Sequence, residues 1–309
     1  MSRPFNYKSL IKSRNVRIWI MNLLRFVPDK LMLSIQYKIK TGRQLNWKNP
    51  ERFTEKLQLY KIWQKNHPEL NRCADKFDVR SFVREQGLEE ILNPLAGGEK
   101  AYSSPDEIDW EGLPNQFVLK DTLGGGGNAV IVCTDKQSFD IEKAKETCRK
   151  WVSDRRVNAG REHVYDGRAH RIIIERYMAD SDGDLPDYKF YCFNGVCFCY
   201  YVRNSYMKNH KGFVSFYDRN DNLIPNLTVD YCALGEKIEM PKNITEMKLI
   251  AEKLAQDFPH VRVDLYSLHE KIYFGELTFF NASGYFHFSI DEFDFIMGKE
   301  FSLPNGEEL

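Results

Sequence analysis

The chain has 309 residues and no net charge, with 42% hydrophobic, 14% aromatic and 28% charged residues. That is enough apolar material for one large domain or two to three packed lobes, and too much charge for an integral membrane protein. No apolar run approaches the roughly 18 residues that a bilayer-spanning helix needs. Seven scattered cysteines, an odd number, read as buried thiols, and no Cys or His spacing matches a zinc site.

Residues 1 to 48 hold eleven Lys or Arg and one acid, Asp29, for a charge of +10. Such a segment suits anionic lipid head groups, an acidic polysaccharide or the acidic remainder of the chain itself. No helix-turn-helix, RRM or zinc-finger pattern supports nucleic acid. Residues 7 to 41 read as helices: an apolar stretch around residues 18 to 26, then Pro28, then an amphipathic run from 30 to 40 ended by Thr41-Gly42. They form either a helical cap on the body or an interfacial helix on an anionic membrane. The stretch at 18 to 26 is broken by Asn22 and Arg25 and lacks a signal-peptide cleavage pattern, so the expected location is the cytoplasm.

Thr54 reads as the cap of a helix over residues 55 to 65, and Asp75 as the start of another that runs to Gln86 and stops at Gly87. A short strand is expected at 91 to 95. From residue 116 the pattern changes to strands at 117–120 and 129–133 around a glycine cluster, a helix at 139–157 and a buried strand at 171–175. A hairpin follows at 188–202 around Asn194-Gly195, then a helix at 243–258 and strands at 261–265 and 271–277. The class is α+β with antiparallel sheets.

Three places carry chemistry. Lys120 on a strand precedes Gly124, Gly125, Gly126 and Gly127; a cation beside unobstructed backbone N–H groups suits a polyphosphate, although the cluster alone is equally a bare hairpin tip. It is neither a Walker loop nor a Rossmann fingerprint. Arg262 and Asp264 share one strand face, and Glu276 and Thr278 share a face of the next strand; if the strands pair, the two carboxylates meet and need a cation such as Mg²⁺ between them. Between these places, Ile172–Ile174 leads into Glu175, Tyr177 and Met178, a segment whose backbone can read an adenine edge. Asp182, Asp184 and Asp187 are candidates for ribose hydroxyls, and Lys189 shares the strand face of Asp187.

In this order the elements resemble the ATP-grasp superfamily, through Asp75-Lys76, Lys120 before the glycines, the Glu175–Met178 segment, and Arg262-x-Asp264 followed by Glu276-x-Thr278. More narrowly, roughly residues 30 to 290 resemble the TupA-like ATP-grasp family. That likeness rests on Leu45-Asn46-Trp47-Lys48-Asn49-Pro50 with Phe53-Thr54-Glu55-Lys56-Leu57, then Asp187-Tyr188-Lys189-Phe190 with Phe193-Asn194-Gly195. Phe216-Tyr217-Asp218, Arg262-Val263-Asp264-Leu265-Tyr266 and Phe274-Gly275-Glu276-Leu277-Thr278 complete it.

The resemblance implies two α+β lobes clasping ATP between antiparallel sheets. It divides the chain into a basic helical region (1–72), a linker lobe (73–115), a small lobe with the glycine loop (116–180) and a large lobe with the metal site (181–309). It implies an ADP-forming carbon–nitrogen ligase using ATP and Mg²⁺, joining an amino acid to a uronic acid or peptide of a cell-surface polysaccharide, at the inner membrane face. Lys76 and Lys120 bind the α- and β-phosphates under the Gly124–Gly127 loop. Glu175, Tyr177, Met178 and Asp187 serve the nucleoside, Arg262 steadies an acyl phosphate, and Lys189 or Arg203 the transferring phosphoryl group. Asp264 and Glu276 hold the metal. The superfamily's Glu-x-Asn is Glu276-Leu277-Thr278 here, which leaves the third ligand to Thr278 or to Asn281. Apart from the resemblance, Arg203, Lys208, His210 and Lys211 read first as a solvated basic loop, and otherwise as contacts to an anionic acceptor. A sugar or protein kinase on the same ATP site, and a nucleotide-binding scaffold without turnover, are the alternatives.

Overall fold

The structure, a computed structural model, describes residues 13, 16, 19, 20, 23–65, 67–125, 129–153, 160–179, 185–204, 213–230 and 232–303. Helix α1 (Asp29–Thr41) lies between Pro28 and Gly42, whose φ of 75° supplies the left-handed stop that a side chain resists. Helix α2 (Phe53–Trp63) starts two residues earlier than the sequence suggested. Thr54 is not its cap: its N–H and hydroxyl bond Asp294 at 3.0 and 2.8 Å, while Glu55 accepts the backbone N–H groups of Glu51 and Arg52 at 3.0 and 3.1 Å.

The expected helix from Asp75 is shorter than foreseen. Asp75 accepts the N–H groups of Phe77 and Asp78 at 2.8 and 3.0 Å, an Asx turn that stands between α3 (Pro68–Ala74) and α4 (Val79–Glu85). Gly87 then closes α4 with φ 65°. The strand expected at 91–95 is instead a 3₁₀ turn, Glu89–Ile91, followed by a single bridge from Leu95 to Glu175. Pro94 has no N–H to extend that pairing; its carbonyl accepts from Arg176 at 3.1 Å.

Strands β1 (Phe117–Asp121), β2 (Val130–Cys133) and β3 (Ile172–Arg176) form a small antiparallel sheet in the order β2-β1-β3. Helix α5 (Ile141–Val152) starts two residues later than expected because Asp140 caps it by accepting the Lys143 N–H at 2.9 Å. Ala144 and Cys148 of α5 share a core with Phe117, Leu119 and Ile174.

The large sheet contains β4 (Asp187–Phe193), β5 (Val196–Asn204), β6 (Phe213–Asp218), β7 (Ala233–Leu234), β8 (His260–Leu268) and β9 (Lys271–Thr278). The order is β7-β6-β5-β4-β8-β9, antiparallel except for β6 with β7. Asn194 and Gly195 turn the β4–β5 hairpin with φ of 48° and 78°, the positive values a type I′ turn requires. Helix α6 (Ile244–Ala255) packs on β8, β4 and β5, and its Met247, Ala251 and Leu254 share a core with Val261, Val263 and Leu265.

Alternation sends the other set of β4 and β8 side chains to the opposite face. At one end this face is aromatic: Phe53 of α2 meets Tyr191, Phe193 and His260 with ring centroids 6.0, 5.7 and 4.9 Å apart. Helix α7 (Asp291–Glu300) clamps α2 there, with Gly298 pressed so close that a Cβ would lie 2.0 Å from the Glu51 carbonyl oxygen. Further along the strands the same face becomes polar.

Candidate active site

Register aligns the polar residues. Lys189 on β4 pairs with Asp264 on β8, and Asp264 pairs with Glu276 on β9. In the neighbouring rows Arg262 pairs with Thr278 and with Tyr191, and Asp187 pairs with Tyr266 and with Arg203 of β5. Cross-strand partners share a face, so one side of the sheet gathers Asp187, Lys189, Arg203, Arg262, Asp264, Glu276 and Thr278.

Glu276 reaches that face through a β-bulge. Leu265 pairs with Phe274 and Asp264 with Glu276, leaving Gly275 as the extra residue. A Cβ on Gly275 would sit 2.8 Å from the Asp264 carbonyl oxygen, so only glycine allows this approach. Counting alternation back from the Tyr266–Tyr273 pair without a bulge puts Glu276 on the wrong side. Sequence reading brought the carboxylates together without noticing this device; a glycine inside a strand was its only signal.

Asp264 is buried and held by two cations. Arg262 donates to its two oxygens at 2.6 and 2.7 Å, and Lys189 donates to Oδ2. Lys189 also pairs with Asp187. Burial opposes charge on Lys189, but Asp187 and Asp264 outweigh it and raise its pKa. Burial pushes Asp187 above the usual carboxylate range. Glu276 is 41% exposed by its side chain and looks outward. Burial of part of it works upward on its pKa, yet Lys76, Lys189, Arg262 and Lys120 together hold it at about 2. Thr278 lies beside it, its hydroxyl donating to Glu276 Oε1 at 3.3 Å and accepting from Arg262 at 3.0 Å.

Asn281, one of the two residues the sequence offered as a third metal ligand, is engaged at both ends of its amide. It is 2% exposed, its amide oxygen accepts from Arg262 and its amide nitrogen donates to the Tyr191 hydroxyl at 2.7 Å. It orients the guanidinium. Its turn, Asn281–Gly284, contains Ala282 and Ser283 at φ 44° and 57°, left-handed values costly for residues with a Cβ. Buried Lys61 and Gln58 of α2 hold it by donating to the Ser283 carbonyl at 2.7 and 3.2 Å. Sequence reading missed these two, because helix periodicity does not distinguish a buried lysine from a solvated one.

The small sheet meets this face through Lys76. Its backbone N–H bonds the Thr122 carbonyl at 2.9 Å, its ammonium donates to the Gly124 carbonyl, and the ammonium stands 4.0 Å from Glu276. Asp75 beside it is buried against Arg171 at 3.1 Å, which anchors the dipeptide. Lys120 pairs with Glu175 across β1 and β3 at 2.7 Å. Gly124 is packed so that a Cβ would lie 2.2 Å from the Ala129 Cβ, whereas Gly125 is open. Gly126 and Gly127 lie outside the described residues, as do Asp182, Asp184, Lys208, His210 and Lys211.

At the end of β3, the Arg176 N–H and carbonyl are taken by Pro94 and by the Asn93 amide at 3.1 Å each. Half-buried Tyr177 and Met178 follow directly. Loop 160–168 brings Tyr165 into the electrostatic reach of Glu276 and Arg262. Arg161 of that loop donates to the carbonyls of Leu24 and Val27 at 3.1 and 3.0 Å and pairs with Asp29 at 3.3 Å.

The sequence matches the family model described as TupA-like ATPgrasp over residues 55–302, most of the chain and both sheets. The chain belongs to the TupA-like ATPgrasp family. Its fold is therefore ATP-grasp, with the helical N-terminal segment preceding the matched region. No curated protein matches the sequence. Among solved structures, D-alanine–D-alanine ligase from Bacillus anthracis is 18% identical with TM-score 0.39, over 67% of this chain and 57% of that one. Biotin carboxylase from Campylobacter jejuni is 14% identical with TM-score 0.40 over 76% and 48%, and phosphoribosylamine–glycine ligase from Thermotoga maritima 14% with TM-score 0.38 over 68% and 48%. The TupA-like chain thus spans about half the length of the solved structures it matches, and its family membership rests on the sequence match alone.

In this TupA-like chain, no cluster of three or more His, Cys, Asp or Glu is arranged to hold a metal among the described residues. Asp264 and Glu276 are adjacent across two strands; Glu276 faces outward as a ligand for a hard divalent cation, whereas both oxygens of Asp264 are taken by Arg262 and Lys189, so Asp264 would join it by giving up one of those bonds. No helix among the described residues is long and apolar enough to cross a membrane.

Proposed function

We propose that this protein is an ATP-dependent carboxylate–amine ligase that forms an amide through an acyl phosphate, joining an amino acid to a uronic acid or peptide of a cell-surface polysaccharide. The observation that carries the reading is Lys76, fixed to the glycine loop of the small sheet and 4.0 Å from Glu276 of the large one, above a row of Lys189, Asp264 and Glu276. Such an arrangement concentrates cations where a polyphosphate would lie between two sheets, next to the carboxylates a Mg²⁺ ion needs.

In this reading Lys76 and Lys120 bind phosphate oxygens, and Tyr177 and Met178 line the base. Asp264 and Glu276 hold Mg²⁺, with Thr278 beside Glu276. Bound Mg²⁺ supplies charge neutralisation on the triphosphate. A substrate carboxylate oxygen attacks the γ-phosphorus and the bond to ADP breaks. The amine nitrogen then attacks the acyl carbon, phosphate leaves, and the amine proton passes to solvent. Arg262, locked by Asp264, Thr278 and Asn281, steadies the anionic acyl phosphate, and Lys189 or Arg203, one strand further out, the transferring phosphoryl group. Most of the rate comes from positioning.

The test is incubation with Mg·ATP, a pool of uronic acids and amino acids, and hydroxylamine, read by mass spectrometry. ADP with a hydroxamate is the expected result, and the trapped acid names the donor. ADP with a phosphorylated acceptor and no hydroxamate replaces the ligase by a kinase. Tight ATP binding with no ADP in any mixture replaces it by a scaffold.

A further inference from the structure

Helix α1 has two unlike faces. Met32, Leu33, Gln36 and Tyr37 are buried against the body. Tyr37 shares a hydrogen bond with Thr54 at 2.9 Å, Gln36 accepts from Tyr285 at 2.8 Å, and Ser34 accepts from Trp47 at 2.8 Å. These bonds seat the helix and fix which side looks out. The outward side carries Leu31, Ile35 and Ile39, 53%, 44% and 39% exposed at intervals of four residues. That stripe is about 12 Å long at 1.5 Å per residue. Just before it, Trp19, Leu23 and Phe26 are 64%, 61% and 78% exposed. With Val16, this short segment supplies seven of the fifteen large hydrophobics exposed among the described residues, so the apolar surface is concentrated and not scattered.

The same segment is basic. Arg25, Lys30 and Lys38 are exposed around the apolar side chains. The single acid, Asp29, is occupied by Lys65 at 3.2 Å and Arg161 at 3.3 Å. Residues 1 to 48 carry +10 in all. An apolar stripe on a seated helix, ringed by unneutralised cations and preceded by an exposed tryptophan, is the pattern of a helix lying in a lipid interface. A second copy of this chain is a poorer occupant, because a two-fold contact through this face brings two +10 segments together.

We propose that residues 19–39 dock the protein on an anionic lipid bilayer. Helix α1 lies in the plane of the interface, its Leu31–Ile35–Ile39 stripe enters the boundary between head groups and acyl chains, and Arg25, Lys30 and Lys38 meet lipid phosphates. The docking does not depend on what the ATP-grasp site catalyses.

The test is flotation of the full chain with vesicles of phosphatidylcholine alone and of an equal mixture with phosphatidylglycerol. The protein is expected to float with the mixture and not with phosphatidylcholine, and to be released by high salt. The triple variant Leu31→Ser/Ile35→Ser/Ile39→Ser binds roughly a hundredfold more weakly, from the loss of three half-exposed aliphatic side chains. Lys30→Gln and Lys38→Gln each weaken binding roughly fivefold. All these side chains point outward, so an unchanged melting temperature is the control for folding. Absence of flotation with the mixture, or flotation that the triple variant leaves intact, overturns the proposal. So does a concentration-dependent dimer that the triple variant abolishes without any vesicle binding, which makes this face a self-interface.

Discussion

Replacing Gly275 with alanine tests whether the β-bulge sets the carboxylate pair. The new Cβ would lie 2.8 Å from the Asp264 carbonyl oxygen and 3.1 Å from Tyr266 Cε2, where ordinary contact begins at 3.4 Å. The tyrosine ring can swing aside, but the carbonyl belongs to β8, so the strands must part by about 0.6 Å at the very residues that pair Asp264 with Glu276. Overpacking of this kind costs about 1–3 kcal/mol of stability. A 1 Å misplacement of reacting groups costs about a hundredfold in rate, so about 0.6 Å is worth on the order of tenfold. The assay is ADP formation at saturating Mg·ATP in the hydroxylamine mixture that the wild-type protein turns over, with a melting curve alongside. Gly275→Ala should lose about tenfold in turnover while melting as a folded protein slightly below wild type. A variant with unchanged turnover and unchanged melting temperature refutes the idea that the glycine is required for the close approach.

The two carboxylates should behave differently when neutralised. Glu276→Gln, at a side chain 41% exposed, should abolish ADP formation and lower stability at neutral pH by less than neutralising the buried Asp264 does. Asp264→Asn should abolish ADP formation as well and destabilise by up to about 3 kcal/mol in urea, because buried Arg262 and Lys189 lose the carboxylate they share while Lys189 keeps Asp187. Gly298→Ala should cost about 3 kcal/mol or more in the same titration, since the obstructing atoms are the α2 backbone at Glu51, Arg52 and Phe53. Glu276 has a folded-state pKa of about 2 against an ordinary 4.5. Its stabilising share is therefore complete above about pH 4.5 and disappears as pH falls from there through about 2. The difference in stability between wild type and Glu276→Gln should shrink across that window, and a difference that grows with acidity contradicts the assignment.

The parts of this fold legible in the sequence were those written in local chemistry. Asn194-Gly195 turns its hairpin because only residues tolerant of positive φ fit there. The period-two placement of Arg262 and Asp264 put both on one strand face, and the register of β4 added Lys189 to the same row. Where the reading failed, a distant partner had taken over a local signal. Thr54 has the composition of a helix cap, but its hydroxyl is claimed by Asp294, 240 residues away. Asp75 spends its carboxylate on an Asx turn and on Arg171. The apolar stretch before Pro94 spends the N–H groups of Ile91 and Leu92 on a 3₁₀ turn, and Pro94 itself has none. Nothing local in the sequence reveals that Arg262 and Tyr191 use both ends of the Asn281 amide.

Arg161 has a consequence for anyone shortening this protein. Its guanidinium is bonded to the carbonyls of Leu24 and Val27 and paired with Asp29, and its side chain is only 6% exposed. Cutting away the basic segment up to residue 28 would remove two of those three partners and strand a buried cation in the loop that carries Tyr165. The leading segment is therefore not a detachable tail: trimming it is a mutation at the rim of the candidate site. A chain cut at residue 28 that loses activity has therefore not been shown to need the removed segment for anything beyond seating Arg161.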